Sequence, residues 1–144
     1  MTSARDYKIA LVGFTAVLAA GCGEPDLPTL PSIPVLLSPA EGATLDNGCY
    51  SRTDTETWDF RWSPVKNAAR YHLVVQHPGA ENPAIDVTTA SAFYHDVSYG
   101  GYVINRFRYG WEWKVQAEVN GAFGVFSEAR TFNVEPVDTD CPGT

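Results

Sequence analysis

No stretch of this chain stays apolar for long enough to cross a bilayer. The longest apolar or small run, residues 9–20, has twelve residues. As a helix at about 1.5 Å per residue it spans about 18 Å, against about 30 Å of hydrocarbon. Basic residues are scarce as well: ten Lys and Arg stand against seventeen Asp and Glu, a net charge of −7. Without a basic stripe to exchange for phosphate counterions, the balance disfavours nucleic acid and bare anionic lipid as general partners. No segment repeats its apolar residues at helical spacing. Motifs of catalysis are missing too. There is no Gly-x-Ser-x-Gly elbow to present a nucleophile. The only glycine pair, Gly100-Gly101, opens no helix that would cradle phosphate. His72, His77 and His95 lack the spacing of a helical metal pair and read as surface residues.

What is present begins at the N-terminus. Arg5 and Lys8 make a short positive region with only Asp6 against them, and the twelve-residue run comes directly after. This is the layout of a signal peptide. It closes on Leu18-Ala19-Ala20-Gly21-Cys22, which resembles the lipobox of bacterial lipoproteins. The resemblance implies removal of residues 1–21 and a Cys22 thiol that takes a diacylglycerol group. The small residues ahead of it give the peptidase access to the backbone. An ordinary secretory signal with an incidental Cys22 is the alternative. A mature chain with three acyl chains on Cys22 is held at a membrane in effect permanently, at about 0.8 kcal/mol per buried methylene. In such lipoproteins Asp directly after the cysteine marks retention at the inner membrane; Gly23 stands here and points to the outer one. The removed residues carry a net +1, which leaves the mature part at −8.

Residues 22–34 hold four prolines and no strand or helix period, so they read as a semi-rigid extended tether. At about 3.1 Å per residue it holds the rest of the chain some 30–40 Å from the membrane. A Pro-rich ligand for an aromatic groove is the other reading of the same composition.

From Val35 the period is two. Tyr109, Trp111, Trp113, Val115, Ala117 and Val119 share one face of a strand, with Glu112, Lys114, Gln116 and Glu118 on the other. Tyr71, Leu73 and Val75 alternate with His72 and Gln76, and Trp58, Phe60 and Trp62 with Asp59 and Arg61. Phe132 and Val134 mark the last strand. Weaker strands are expected at residues 35–38, 84–88 and 92–97. Turn signals at Asn47-Gly48, Pro64–Asn67, Pro78-Gly79, Gly100-Gly101 and Asn120-Gly121 separate them. About seven short strands at this spacing predict an all-β, antiparallel sandwich. Asp59, Glu112 and Glu118 fall on outward faces, and a sandwich of this size has no deep cleft. The expectation is a non-enzymatic protein without a cofactor.

Leu37-Ser38-Pro39-Ala40-Glu41-Gly42, Phe60-Arg61-Trp62-Ser63-Pro64, residues 69–75, Trp113-Lys114-Val115-Gln116-Ala117, and Ser127 with residues 130–134 together resemble bacterial fibronectin type III-like domains. The resemblance covers roughly residues 34–135. It implies a seven-stranded fibronectin type III or immunoglobulin-like sandwich over residues 35–136, with residues 137–144 as a tail. The segments at 46–57 and 98–108 are longer than the pattern. In that strand order the ends of the first and last strands reach the same pole. Cys49 and Cys141, the pair left once Cys22 is acylated, are then placed for a disulfide. Closing some 90 residues stabilises by up to about 4–5 kcal/mol in the entropic account. Two free thiols are the alternative.

The binding candidate is the connection at residues 98–108, where Tyr99, Tyr102 and Phe107 interleave with Asn105, Arg106 and Arg108. Tyr and Arg are enriched where interfaces gain most of their energy, and flat rings also suit sugars. The implied strand order sets this loop at the pole away from the tether. Its plainer reading is that Val103, Ile104 and Phe107 cap the core while the arginines pair with acids. Two functions from different classes fit: a protein-binding module on the cell envelope, facing an envelope or extracellular protein, or a carbohydrate-binding module holding glycan. A passive spacer is the third. Replacing Cys22 by Ala is expected to abolish fatty-acid labelling of the chain and release it from the membrane fraction, read by metabolic labelling and fractionation.

Overall fold

The computed structural model describes residues 32–48, 55–99 and 107–137, and over these the chain is all-β. The strands are β1 (Leu36–Ser38), β2 (Ala43–Leu45), β3 (Thr55–Trp62), β4 (Ala68–Gln76), β5 (Ile85–Thr89), β6 (Phe93–Tyr99), β7 (Trp111–Val119), β8 (Ala122–Phe123) and β9 (Arg130–Val134). They form two sheets. The smaller has the order β1-β3-β6, the larger β2-β9-β7-β4-β5 with β8 also on β7.

Alternation explains the packing. Trp58, Phe60 and Trp62 of β3 point inward, as do Tyr71, Leu73 and Val75 of β4 and Trp111, Trp113, Val115 and Ala117 of β7. Phe132 and Val134 of β9 join them, and the set forms one core between the sheets. Its centre is aromatic. Trp58 meets Phe132 at 5.4 Å and Trp111 at 5.9 Å, both edge-on, and Phe60 meets Trp113 at 5.2 Å. Each such pair contributes about 0.5–1.5 kcal/mol beyond its area burial. Pro34, at the end of the expected tether, is already buried, and Val35 exchanges hydrogen bonds with Ser63. The fold therefore holds the chain from Pro34 onward. Among the described residues no helix is long and apolar enough to cross a membrane.

Three expectations are corrected. The described residues hold nine strands where seven were expected, and one pairing is parallel. After β1 the chain turns at Gly42 (φ 69°) and crosses to the other sheet. There β2 continues in the same direction beside β9, so the pair is parallel: Ala43 lies opposite Phe132 and Leu45 opposite Val134. The added β8 comes from the Asn120-Gly121 turn, whose φ angles of 55° and 81° are those of a tight hairpin that folds the chain back on β7. Tyr109, expected on the buried face of the seventh strand, is instead 67% exposed. The cause is Gly110, at φ 79°, which breaks the alternation one residue before β7 begins.

The switch from β1 to β2 is pinned by two side chains. Arg130 donates through Nη1 to the Pro39 carbonyl at 3.0 Å and through Nη2 to the Leu36 carbonyl at 2.7 Å. The Glu41 carboxylate accepts the Thr131 N–H at 2.9 Å and also its hydroxyl. Those two hydrogen bonds hold the Glu41 carboxyl below the usual range, with Arg130 nearby adding to the effect. A carboxyl lowered in the folded state contributes stability above its unfolded pKa and loses it as pH falls through the folded value. Thermal melts of the wild type are thus expected to drop more steeply than those of Glu41→Gln between about pH 5 and pH 3.

Candidate binding site

The registers define two poles. Leu36 pairs with Trp62 and Arg61 with Phe93, so the chain enters at the pole that holds the turns at 63–67, 90–92 and 120–121. Tyr99, Gln76, Trp111 and Val134 lie at the other end. The structure therefore brings both described feet of the 98–108 connection to the pole opposite chain entry.

Of the residues expected there, Phe107 and Arg108 are described together with the backbone of Tyr99, which pairs with Thr55. Tyr102, Asn105 and Arg106 lie outside the described residues, as do Cys22, Cys49 and Cys141. The chain ends that lead toward Cys49 and Cys141 run side by side: Asn47 Nδ2 donates to the Glu135 carbonyl at 3.1 Å, and Glu135 N donates to the Leu45 carbonyl at 3.0 Å.

Phe107 is half-buried and packs on the core edge. Its carbonyl accepts the Trp111 indole N–H at 2.6 Å, and its ring lies 4.6 Å from that of His77. His77 is the clamp. The Gly79 N–H can only donate, so His77 Nδ1 accepts it at 2.9 Å. The ring proton then sits on Nε2, which donates to the Tyr109 carbonyl at 3.0 Å. One imidazole thus fixes the 77–80 turn against the foot of the long connection. Arg108 is tied into the last strand, with Val134 N donating to its carbonyl at 2.7 Å. Its guanidinium lies 5.2 Å over the exposed Tyr109 ring. The result is an Arg–Tyr pair displayed on a rigid base. No sequence signal announced His77, because its partners are one N–H two residues on and one carbonyl 32 residues away.

A second group was also missed: the outward face of the larger sheet. His72 donates through Nε2 to Asp86 at 2.6 Å and accepts from Gln116 Nε2 at 3.0 Å. The Phe123 and Phe126 rings lie 5.9 and 5.4 Å from it. Arg70 pairs with the nearly buried Glu118 and covers Phe123, while Lys114 sits 4.9 Å from the Phe126 ring. The signal lay in Asn120-Gly121, since a tight hairpin brings Phe123 back beside β7. On β6, burial and then the adjacent Asp96 carboxylate raise the Tyr94 pKa, so its hydroxyl stays protonated. A groove of about 460 Å³ lies along β1, lined by Pro34, Leu36, Glu41, Ser127 and Arg130 among others. Among the described residues no cluster of three His, Cys, Asp or Glu could hold a metal.

The chain matches no family model, no curated protein and no solved structure.

A Cβ at Gly79 would meet His77 at 3.2 Å and Phe107 at 3.3 Å, both tighter than ordinary contact. Gly79→Ala is therefore expected to cost about 1–3 kcal/mol by overpacking, measured by urea denaturation. It should also speed proteolysis within residues 100–106.

Proposed function

We propose that this is a lipid-anchored protein of the cell envelope, held through Cys22 at the outer membrane, which presents a fibronectin type III-like sandwich to a protein partner. The order β1-β3-β6 against β9-β7-β4-β5, with inward Trp62 and Tyr71 packed edge-on at 5.6 Å, supports the sandwich type. One observation carries the binding role. Arg108 and the 67% exposed Tyr109 stand at the pole away from chain entry, on a base locked by His77 and Trp111. Tyr and Arg side chains held in place lose little entropy on contact, which is what a binding hot spot needs. The disulfide between Cys49 and Cys141 belongs to the same reading, since it would bind the segments around this pole together.

The test is crosslinking and affinity capture of the tagged lipoprotein from its native envelope. Two variants run beside it, Arg108→Ala/Tyr109→Ala on the described base and Tyr102→Ala/Arg106→Ala in the loop. A specific protein captured by wild type and reduced at least about tenfold in both variants, a loss of about 1.4 kcal/mol or more, is the expected result. Equal recovery from variants with unchanged circular dichroism would remove the site. A shift of wild-type mobility in gels loaded with envelope glycan, without a captured protein, would replace this reading by the carbohydrate one.

A further inference from the structure

The smaller sheet has two edges, and only one of them is covered. At β1 the Arg130 guanidinium takes the Leu36 and Pro39 carbonyls. At the other edge lies β6, and among the described residues no strand is paired beyond it. Which backbone groups it leaves open follows from one hydrogen bond. Trp62 N donates to the Ala92 carbonyl at 3.1 Å, and in an antiparallel ladder such bonded pairs recur at every second residue. The register then has Tyr94 bonded to Phe60 and Asp96 to Trp58. Phe93, His95 and Val97 turn their N–H and C=O groups away from β3, toward the open side.

An open edge is a template for another strand. The usual defences are sparse on β6: residues 93–99 hold no Pro or Lys, and their pairing with β3 runs from end to end without a bulge. The defence it has is an acid on the inner side, Asp96, opposite the buried Trp58. On the outer side Phe93 is 49% and Val97 46% exposed. Between them His95 Nδ1 pairs with Asp59 at 2.9 Å. The strand is thus close to its own mirror about His95. An exposed apolar side chain stands two residues to either side, and a hydroxyl and a carboxylate occupy the positions between.

We infer that β6 pairs with β6 of a second copy, antiparallel about a twofold axis at His95, so that the two smaller sheets become one. Self-complementarity decides the occupant, because a twofold contact needs a strand that suits its own reverse. About His95, Phe93 faces Val97 of the second copy and Tyr94 faces its Asp96, a hydroxyl donor against a carboxylate. The open N–H and C=O groups of residues 93, 95 and 97 fall in phase, each donor opposite an acceptor. The neighbouring axes fit worse. An axis at Asp96 sets that carboxylate opposite its own copy, a destabilising pair. An axis at Tyr94 sets Val97 against Ser91 and Phe93 against His95. At the His95 axis two imidazole–carboxylate pairs meet, and neither brings an uncompensated charge.

Among the described residues the whole core lies between Pro34 and Val134, so residues 23–144 carry it. Sedimentation equilibrium of this chain up to about 1 mM is expected to show a weak monomer–dimer equilibrium, as a contact smaller than a standard interface implies. In the dimer, amide exchange should slow at Phe93, His95 and Val97, while Tyr94 and Asp96, already bonded to β3, stay as they were. Val97→Pro removes a donor that β3 does not use. Val97→Lys brings an ammonium to a Phe93 ring that Arg61 already covers at 5.8 Å. Each is expected to raise the dimer Kd at least about tenfold. Leu37→Ser, exposed on the covered edge, should leave the Kd unchanged, and circular dichroism checks each fold. A monomer at every concentration, a Kd indifferent to Val97→Lys, or a dimer dissolved by Leu37→Ser would overturn the inference. So would slowed exchange confined to amides outside residues 93–97. The contact uses neither Cys22 nor the Arg108–Tyr109 pole, so it can fail without the proposed function failing.

Discussion

Everything in this sandwich depends on a strand that changes sheets. The chain starts as the edge of the smaller sheet and, five residues after β1 ends, is paired with β9 of the larger one. At the crossing the outer carbonyls of β1 have no strand beside them. The Arg130 guanidinium supplies the missing donors, with two N–H groups on Leu36 and Pro39 and its plane 6.0 Å over the buried Trp113 ring. A planar fork can satisfy two carbonyls at once, and an ammonium cannot do so with the same geometry. The contact closes the side of the core and covers an edge that would otherwise invite another strand.

The parts of the fold legible in the sequence are those where burial imposes a period. β3, β4 and β7 each have a whole face against the opposite sheet, so their alternation survives in the residue order. β2 and β8 were not legible for the converse reason. The first is three residues long with no fully buried member, and the second is two exposed residues. Their pairing is decided by a turn and by a neighbour's backbone. Tyr109 shows a subtler failure, since its spacing fits the stripe of β7 and one glycine at positive φ turns it outward. Asn120-Gly121 is legible as a turn, but a turn signal does not say which side chains the returning strand will meet, here Arg70 and His72 against Phe123.

For the candidate site, the sequence named the connection and the structure describes its feet. Phe107 and Arg108 divide the work expected of the loop. Phe107 seals the core beneath His77, in the manner of a cap. Arg108 lies on an exposed ring, in the manner of a binding surface. The two readings of the segment therefore concern, in part, different residues. The histidine that joins it to the neighbouring turn looks like any surface residue in the sequence, because a side chain bonded to backbone alone leaves no pattern there.

The direction in which the chain enters has a mechanical consequence. Residue 32 leads into β1 at one pole, and β1 then runs toward the other, beside β3 and in line with β2 and β9. Ladder hydrogen bonds lie across the strands. A pull between the incoming chain and a load at the far pole acts along the strands, so it shears the ladders and strains their bonds together instead of opening them one by one. The two Arg130 bonds and the Glu41–Thr131 bonds bridge the same joint and share that force. A domain with this entry geometry resists traction along its strands better than its short first strand would suggest.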